Sequence, residues 1–343
     1  MNHYASPRFW ALYEALPSDI RGLADKNYQL LKSNPRHPSF QFKKIVDFWS
    51  VRIGYRRVDN ASHALRCSLT MRTQAEKAES FRALHERPGI FVIPNPWDAG
   101  SAKLLAALGF EALATTSLGY AASVGRNDGT LSREDVLANC RLIAEATDLP
   151  VSADLENGYA DEPEQAAVIM RLAAQAGAVG GSIEDASGDA AKPIYDFPFA
   201  VERVAAAVAE ARRLPFPFTL VARAENFLHG RPDLDDTIRR LQAFAAAGAD
   251  VLYAPGIRDL PTIRTLVAAV PKPVNVVMGL ADPDLTLKEL EAAGVRRVSV
   301  GGALARLALA AVRDAALAMR DQGAFGWVKD IMPAKELRSI FGR

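Results

Sequence analysis

The sequence predicts an α/β protein with a (β/α)8 barrel, the TIM barrel, preceded by a small α+β segment. From about residue 86 onward, short apolar, β-branched runs alternate with alanine-rich amphipathic stretches. Eight such runs occur over roughly 240 residues, which matches the strand number and length of this barrel. No Gly-x-Gly-x-x-Gly follows the first run, as the alternative, a dinucleotide-binding doubly wound sheet, would have.

The elements alternate in a regular order. The predicted strands are GIFVIPN, ALATTS, PVSADLE, GGSIED, FTLVARAE, VLYAPG, PVNVVM and RRVSVGG. The helical patterns between them are DAGSAKLLAALG, SREDVLANCRLIAEA, EPEQAAVIMRLAAQAG, DFPFAVERVAAAVAEARR, DLDDTIRRLQAFAAAG and DLTLKELEAAG, and Gly or Pro follows several of them as a stop signal. We predict three parts: the small segment at 1–58, a polar linker at 59–83 and the barrel at 84–343.

The amino-terminal segment differs from the barrel in charge. Residues 1–74 carry 12 Lys and Arg against 5 Asp and Glu, and the remainder carries 29 against 35. The net charge of +1 argues against a strongly basic nucleic-acid-binding protein as a whole. Two helices, interrupted at Pro17 and ended at Pro35, and then two strands in FQFKKIVDFWSVRIGYRRV are predicted for this segment.

Cysteine usage and hydropathy indicate the compartment. Cys67 and Cys140 are the two cysteines, too few for a disulfide framework, and this fits a reducing environment. No apolar run is long enough to span a bilayer. We therefore expect a cytoplasmic protein without a membrane partner.

Acidic residues follow two adjacent predicted strands. Alternation along VSADLENGY places Asp154 and Glu156 on one face, and of the neighbours Glu184 and Asp185 only one can join them. Carboxylates that converge in this way repel one another, which a proton or a bound cation relieves. All-oxygen ligands suit Mg²⁺ or Mn²⁺, whereas acids paired with Lys or Arg at the loop ends are the plainer alternative.

The fifth predicted strand adds a cation to this group. In VARAENF, alternation places Arg223 and Glu225 on one face. An inward arginine beside a hard cation can grip a substrate carboxylate. The alternative is a structural ion pair of Arg223 with Glu225 or Glu184.

Three further places offer weaker signals. Ser117 and the amides of Leu118 and Gly119, in TTSLGY, are donors where an oxyanion could sit. Asp128 in VGRNDGT is a candidate base or outer metal ligand, although Asn-Asp-Gly is equally an ordinary turn. Gly301 and Gly302 precede a helix, where many barrels bind phosphate, and so suggest a rival phosphate-binding function.

Several of these motifs occur together in one known superfamily. Residues from about 84 to 335 resemble the isocitrate lyase and phosphoenolpyruvate mutase superfamily, in particular its carboxyphosphonoenolpyruvate phosphonomutase-like branch. The stretch NPWDAGSAKLLAALGFEALATTS resembles its opening strand and substrate loop, and ADLENGY its metal signature. GGSIED resembles its next metal strand and ARAENF its arginine strand.

The resemblance implies a role for each matching residue. Ser117, Leu118, Gly119, Arg223 and Asn275 would bind substrate, Asp154, Glu156 and Glu184 would hold Mg²⁺ (or Mn²⁺), partly through water and with Asp128 nearby, and Asp128, Arg223 and Glu225 would be catalytic. The implied activity is Mg²⁺-dependent cleavage or rearrangement of a C–C or P–C bond in a small α-keto or enolpyruvate-type acid. The resemblance also implies a homo-oligomer, a dimer or tetramer, in which a last helix, here near GAFGWVKDIMPAKELRSIF, is exchanged.

One loop departs from this pattern. Lyases of the superfamily carry a Lys-Lys/Arg-Cys-Gly-His loop after the second metal strand, where this sequence reads DASGDAAKPIYDF. The polar candidates left there are Ser187, Asp189, Lys192 and Tyr195. Cleavage of isocitrate or methylisocitrate is therefore not expected, and the identity of the general acid or base stays open.

The amino-terminal segment has a resemblance of its own. Residues from about 5 to 58 are similar to a truncated RelE/ParE-type toxin, through SPRFWALYEALP, LADKNYQLLKSNPRHPSFQFKKI and FWSVRIGYRRV. The alternative function is therefore a toxin-derived RNA-binding module fused to a catalytically inactive barrel. RNA binding, if any, would come from residues 1–58 alone.

Overall fold

The computed structural model describes residues 40–45, 48–53 and 72–342, and the chain divides into two compact units, Met1–Thr70 and Met71–Arg343. In the first unit, strands β1 (Phe40–Ile45) and β2 (Phe48–Ile53) pair antiparallel, with Phe40 opposite Ile53. This confirms the predicted pair of strands. The predicted helices before Pro35, and Cys67, lie outside the described residues.

The second unit contains eight parallel strands. Their bounds are β3 (Phe91–Ile93), β4 (Leu113–Ala114), β5 (Val151–Ala153), β6 (Gly180–Glu184), β7 (Thr219–Arg223), β8 (Val251–Tyr253), β9 (Val274–Val277) and β10 (Arg297–Ser299). They pair in the order β3-β10-β9-β8-β7-β6-β5-β4. Each predicted run contains one of these strands, so the (β/α)8 fold class is confirmed.

The barrel closes between its first and second strands without a regular ladder. There the Ala114 amide donates to the Pro94 carbonyl at 3.1 Å, just beyond the end of β3. Consecutive strands of the barrel are otherwise paired in register, for example Glu184 with Arg223 and Arg223 with Tyr253. The register sets which side chains share the inner face.

Helices cover the outside of the barrel and continue beyond it. Their bounds are α1 (Gln74–Glu86), α2 (Ala99–Ala107), α3 (Ser117–Ser123), α4 (Arg133–Ala146), α5 (Pro163–Gln175), α6 (Phe197–Arg212), α7 (Leu234–Ala246), α8 (Leu260–Ala269), α9 (Leu287–Ala292), α10 (Ala303–Gln322), a 3-10 turn (Gly326–Asp330) and α11 (Ala334–Phe341). Cys140 is fully buried on α4, as expected for a core residue. None of the helices in the described part of the chain is long and apolar enough to cross a membrane.

Helix α1 differs from the prediction, because most of it falls in the stretch predicted as the linker 59–83. Thr73 caps it, with the Thr73 hydroxyl and the Glu76 carboxylate satisfying each other's backbone amides. Phe81 and Ala78 are fully buried beneath the barrel. A Cβ added at Gly180 on β6 would lie 2.9 Å from the Phe81 ring, so this glycine makes room for the helix.

Candidate active site

A cavity of about 170 Å³ opens at the carboxyl ends of the strands. In a parallel barrel this is the end where the strand-to-helix loops meet and where reactive side chains gather. The sequence-predicted residues that line the cavity are Ser117, Leu118, Asp128, Asp154, Arg223, Asn275, Gly301 and Gly302. The strand-end rule therefore brings most of the predicted residues to one place.

Arg223 lies at the centre of an acidic cluster. Its Nη1 contacts Asp154 Oδ1 at 3.0 Å and Glu184 Oε2 at 3.1 Å, and its Nε donates to Glu225 Oε1 at 2.8 Å. The ion pairs that the sequence left as an alternative are thus present. These three contacts use Nε and Nη1 and do not involve Nη2.

The cluster holds more acid than base. Burial raises the pKa of Glu184 well above its ordinary value, although Arg223 opposes the shift and Glu225 adds to it. Burial, followed by the charges of Asp154 and Asp128, raises the pKa of Glu156 to about 7. Such shifts mean that a proton or a cation is favoured at this end of the barrel.

The loop after β5 departs from the alternation used to predict it. Strand β5 ends at Ala153, so Asp154 and Glu156 follow the strand and are not part of it. Glu156 and Tyr159 take the left-handed conformation, with φ of 47° and 59°. Glu156 therefore reaches the acidic cluster through a turned backbone, and the strand periodicity that was extended past Ala153 is wrong there.

Asp185 shows which of the two neighbouring acids joins the cluster. Glu184 faces Arg223, whereas Asp185 is buried on the other side and accepts from Arg240 Nη1 at 3.0 Å. Asp185 also accepts from the Glu225 amide at 2.8 Å. It thereby fixes the backbone beside the cluster without entering the cavity.

The carboxylate oxygens near the cavity are ligands that suit a hard cation, but their spacing limits how many of them can bind it directly. Asp154, Glu156 and Glu184 offer carboxylate oxygens only, which suit Mg²⁺ or Mn²⁺. Within the described ranges, no three His, Cys, Asp or Glu side chains lie close enough together to hold a metal. Because no three of these carboxylates converge, a cation held by them would need water to complete its coordination.

Two of the three residues predicted to bind an oxyanion, Ser117 and Gly119, donate from their amides to acceptors within the protein. The Ser117 amide donates to Asp154 Oδ2 at 3.2 Å, and the Gly119 amide donates to Thr116 Oγ1 at 3.2 Å, because Thr116 caps α3. A Cβ at Gly119 would lie 2.6 Å from Thr116 Cγ2. Gly119 therefore serves the packing of α3, and of these three residues Ser117 and Leu118 line the cavity.

The rival phosphate site at the start of α10 is taken by a side chain. Asn95 Oδ1 accepts from the amides of Val300 and Gly301, both at 2.9 Å. A Cβ at Gly302 would lie 2.3 Å from Leu118 Cδ2, so this glycine permits the close approach of α3. The backbone donors that a phosphate would need at Gly301 thus already have an acceptor.

The loop that follows Glu184 is anchored at both ends. Ala186 and Ile194 form an antiparallel bridge and are buried, whereas Asp189 and Lys192 between them are exposed. Beyond the bridge, the Tyr195 hydroxyl donates to Asp161 Oδ1 at 2.7 Å. The loop thus connects to the β5–α5 segment.

Sequence reasoning missed several residues of the cavity wall. Asn95, Tyr253, Arg297, Ser299 and Arg306 also line the cavity. Asn95 follows β3 and Tyr253 ends β8, so the strand-end rule would have found both. Arg297 begins its strand, and no strand-end signal marks it.

A (β/α)8 barrel that gathers charged residues where its strands end is the architecture of an enzyme. Residues 81–320 match the family model described as phosphoenolpyruvate phosphomutase. The chain therefore belongs to this family, and it is an enzyme of the phosphoenolpyruvate mutase and isocitrate lyase superfamily.

Solved structures and curated relatives agree with this placement. A protein of Burkholderia cenocepacia J2315, named provisionally as a lyase or mutase, is 59% identical with a TM-score of 0.77, over 79% of this chain and 97% of its own. Oxaloacetate decarboxylase of Bradyrhizobium diazoefficiens is 30% identical over 71% of this chain and 85% of its own. 2-Methylisocitrate lyase of Escherichia coli K12 is 31% identical over 63% of this chain and 75% of its own.

A further solved structure carries a metal. Phosphonopyruvate hydrolase in complex with oxalate and Mg²⁺ is 25% identical with a TM-score of 0.69, over 78% of this chain and 95% of its own. The family match begins at residue 81, so it does not reach residues 1–58, and the resemblance of that segment to a toxin is not supported. No observation on the described residues favours the RNA-binding alternative.

Proposed function

We propose that the barrel is a divalent-metal-dependent enzyme, using Mg²⁺ or Mn²⁺, that cleaves or rearranges a C–C or P–C bond in a small α-keto or enolpyruvate-type acid. The observation that carries the proposal is the cluster of Asp154, Glu184 and Glu225 around Arg223 at the cavity. The names of the relatives support it, since they include a decarboxylase of oxaloacetate and a hydrolase of phosphonopyruvate.

In this proposal the metal is held by Asp154, Glu156 and Glu184. Their oxygens are the ligands that Mg²⁺ and Mn²⁺ prefer, and the raised pKa values of Glu156 and Glu184 mean that a cation would relieve the crowding of charge. A bound Mg²⁺ or Mn²⁺ supplies a Lewis acid that stabilises negative charge on a substrate oxygen.

The other predicted residues take roles that fit their positions. Arg223 presents Nη2 to a substrate carboxylate, while Glu225, 2% exposed, orients the guanidinium through its bond to Nε. Asp128, at the rim of the cavity, is the proposed base or outer ligand. Ser117 and Asn275 line the cavity and would contact the substrate.

The sequence of the loop after Glu184 limits the reactions that we propose. Residues 185–197 contain neither Cys nor His, so the acid or base of the superfamily's isocitrate-type lyases is missing from this loop. We therefore favour a reaction in which Arg223 holds a carboxylate of the substrate and the loop supplies no thiol. Decarboxylation of a keto acid and cleavage of a phosphonate are both of this kind.

The test is a screen of the purified full-length chain with oxaloacetate, phosphonopyruvate, carboxyphosphonoenolpyruvate and substituted malates. Pyruvate release and phosphorus NMR report C–C and P–C bond changes. We expect turnover of at least one acid that is lost in EDTA and restored by Mg²⁺ or Mn²⁺. The variant Asp154→Asn should lose at least about 100-fold in kcat/KM and bind the metal roughly 10- to 100-fold more weakly.

A matched control separates this loss from a general change of charge. Glu145 is exposed near the end of α4, the helix that leads into the amino end of β5, and Glu145→Gln removes the same charge away from the cavity. We expect this control to retain the activity and metal affinity of the unaltered enzyme. Turnover that does not need a metal, or full activity in Asp154→Asn, would refute the proposed metal site.

A further inference from the structure

A row of polar side chains crosses the inner face of the barrel. The register pairs Glu184 with Arg223, Arg223 with Tyr253, Tyr253 with Asn275 and Asn275 with Arg297. Partners in a parallel ladder point to the same side of the sheet. Because the strands are tilted, the row starts at the last residue of β6 and ends at the first residue of β10. Arg297 therefore lies at the inner end of the cavity that Arg223 lines nearer the mouth.

Arg297 is buried without an ion pair. It is 5% exposed, and its Nε and Nη1 find no acceptor among the described residues. The Phe81 ring lies 5.9 Å from the guanidinium carbon, at the outer limit of a cation–π contact. Burial lowers the pKa of Arg297 only to about 10, so the side chain carries its charge at neutral pH.

The other buried arginines of the barrel have acceptors within the protein. Arg223 has three carboxylates, Arg240 has Asp185 and Asp236, and Arg203 has three backbone carbonyls. A buried guanidinium normally has such partners, because the loss of its hydration must be offset. Arg297 has none of them within the described part of the chain, and it lines a cavity.

Neutral polar groups surround Arg297 in the same cavity wall. Asn275 donates from Nδ2 to Ser299 Oγ at 3.0 Å, and both residues line the cavity together with Tyr253. Burial raises the pKa of Tyr253 above its ordinary value, so the phenol stays protonated at neutral pH. The Ser299 and Tyr253 hydroxyls and the Arg297 guanidinium can donate to an oxyanion, whereas Asn275, whose Oδ1 has no donor among the described residues, contributes by orienting Ser299.

We propose that the inner end of this cavity is a binding site for a small oxyanion, a carboxylate, phosphate or phosphonate group, that pairs with Arg297 beside Asn275, Ser299 and Tyr253. The site takes either a free inorganic anion or an acidic group of the substrate. The second case rests on the proposed function and would make the substrate an acid whose anionic group extends toward the floor of the barrel.

The test measures anion binding in EDTA, so it needs neither metal nor turnover. Inorganic phosphate, oxalate and phosphonoacetate are titrated into the full-length chain by calorimetry, and thermal unfolding is followed in parallel. We expect saturable binding of at least one anion to the unaltered protein. In Arg297→Met the affinity should fall at least about tenfold, and in anion-free buffer this variant should unfold at the same or a higher temperature, since an unpaired charge is removed.

The matched control is Arg264→Met, which removes an exposed arginine on α8. We expect it to bind the anions within about twofold of the unaltered protein, because net charge alone contributes little to a specific site. Should Arg297→Met fail to fold by circular dichroism, Arg297→Gln is measured in its place with the same expectation. Unchanged affinity in the folded Arg297 variant, or no saturable binding to the unaltered protein, overturns the proposal.

The choice of anions separates the two sources. Binding of phosphate alone supports a free inorganic ion, and displacement of phosphate by oxalate or phosphonoacetate supports an acidic group of an organic substrate. If every acid in the activity screen proves inert while Arg297→Met still loses anion binding, the proposed reaction fails and the anion site stands.

Discussion

His85 is a buried histidine whose surroundings define its charge. It is 7% exposed near the end of α1, and its ring meets Phe81 and Phe91 edge to face, with centroids 4.8 and 5.0 Å away. Nδ1 lies 2.9 Å from the Phe81 carbonyl, so it carries the proton and donates. Burial, followed by the charge of Arg297, lowers the pKa of His85 to about 3.

This shift predicts a pH dependence of stability. The pKa is lower in the folded state, about 3, than the ordinary value of 6.5 expected on unfolding, so the contribution of His85 is present above pH 6.5 and is lost as the pH falls toward 3. Between pH 6.5 and 5 the free energy of unfolding should fall by about 2 kcal/mol through His85. Urea unfolding of the unaltered protein and of His85→Gln at pH 7.5 and 5.0 measures it. The variant should lose less stability on acidification, and equal losses would contradict the assignment.

Individual residues of the cavity were predictable from the sequence where a charged side chain directly follows or ends a predicted strand. Asp154, Glu184 and Arg223 were predicted because a charged side chain at the end of a buried strand needs a partner or a ligand. Arg297 was not found, because RRVSV does not tell which of two adjacent arginines faces inward. Burial decides this: Arg297 is enclosed, whereas Arg296 donates to the carbonyls of Arg87 and Gly89.

At the scale of elements, one side chain holds the loop that joins β5 to α5. Arg203 on α6 is 1% exposed and donates to the carbonyl of Ala160 at 2.8 Å and to those of Asn157 and Asp161. Its guanidinium also lies over the Tyr195 ring, 4.2 Å from the centroid. Arg203 thus fixes the segment in which Glu156 takes its left-handed conformation.

Replacing Arg203 should loosen this loop. We expect Arg203→Met to cost about 3 kcal/mol in unfolding free energy, because three carbonyls in part-buried hydrogen bonds lose a charged donor. On the proposed function, the concentration of Mg²⁺ needed for half-maximal activity should rise more than kcat falls. Arg203→Lys, which keeps a charged donor, should recover part of both effects.

Arg213→Met serves as the control for this experiment. Arg213 lies just after the same helix with its side chain 77% exposed, and it pairs with Glu210. We expect its loss to change unfolding free energy by about 0.5 kcal/mol or less. If Arg203→Met left both the stability and the metal dependence unchanged, the loop would be held by other contacts.

The elements themselves were predictable to different degrees. The eight strands and six of the eight helices between them follow from hydrophobic periodicity, which buried parallel strands and amphipathic helices impose on any sequence. Helix α1 was not predicted, because a helix that buries only one narrow face has the polar composition of a linker. The end of β5 at Ala153 could not be predicted, because nothing in ADLENGY shows that Glu156 adopts a positive φ.

At the scale of the whole molecule, the carboxyl-terminal helices expose an apolar surface. Ala305 is the one buried residue of α10, which is described in full. The apolar residues exposed from α10 onward are Leu307, Leu309, Val312, Leu317, Met319, Phe325, Val328, Ile331, Met332, Leu337 and Phe341. A surface of this kind usually marks an interface, so it supports the proposed homo-oligomer.

We expect light scattering after size exclusion to give the mass of a dimer or a tetramer. Leu307 is 67% and Val312 65% exposed, so Leu307→Asp with Val312→Asp should lower the mass to that of a smaller assembly without unfolding the barrel. Arg313→Asp, next to Val312 and also exposed, changes charge but removes no apolar surface and should leave the mass unchanged. A monomeric unaltered chain at micromolar concentration would be incompatible with the proposal.

Asn95 ties together the parts of the barrel that its strands leave unpaired. Its Nδ2 donates to the Thr115 carbonyl at 2.9 Å, beyond β4, while its Oδ1 accepts from two amides beyond β10. One uncharged side chain therefore joins the beginning and the end of the strand order at the rim of the cavity. At this point of the rim, where β3 and β4 share no regular ladder, the width of the mouth therefore depends in part on the hydrogen bonds of a single residue.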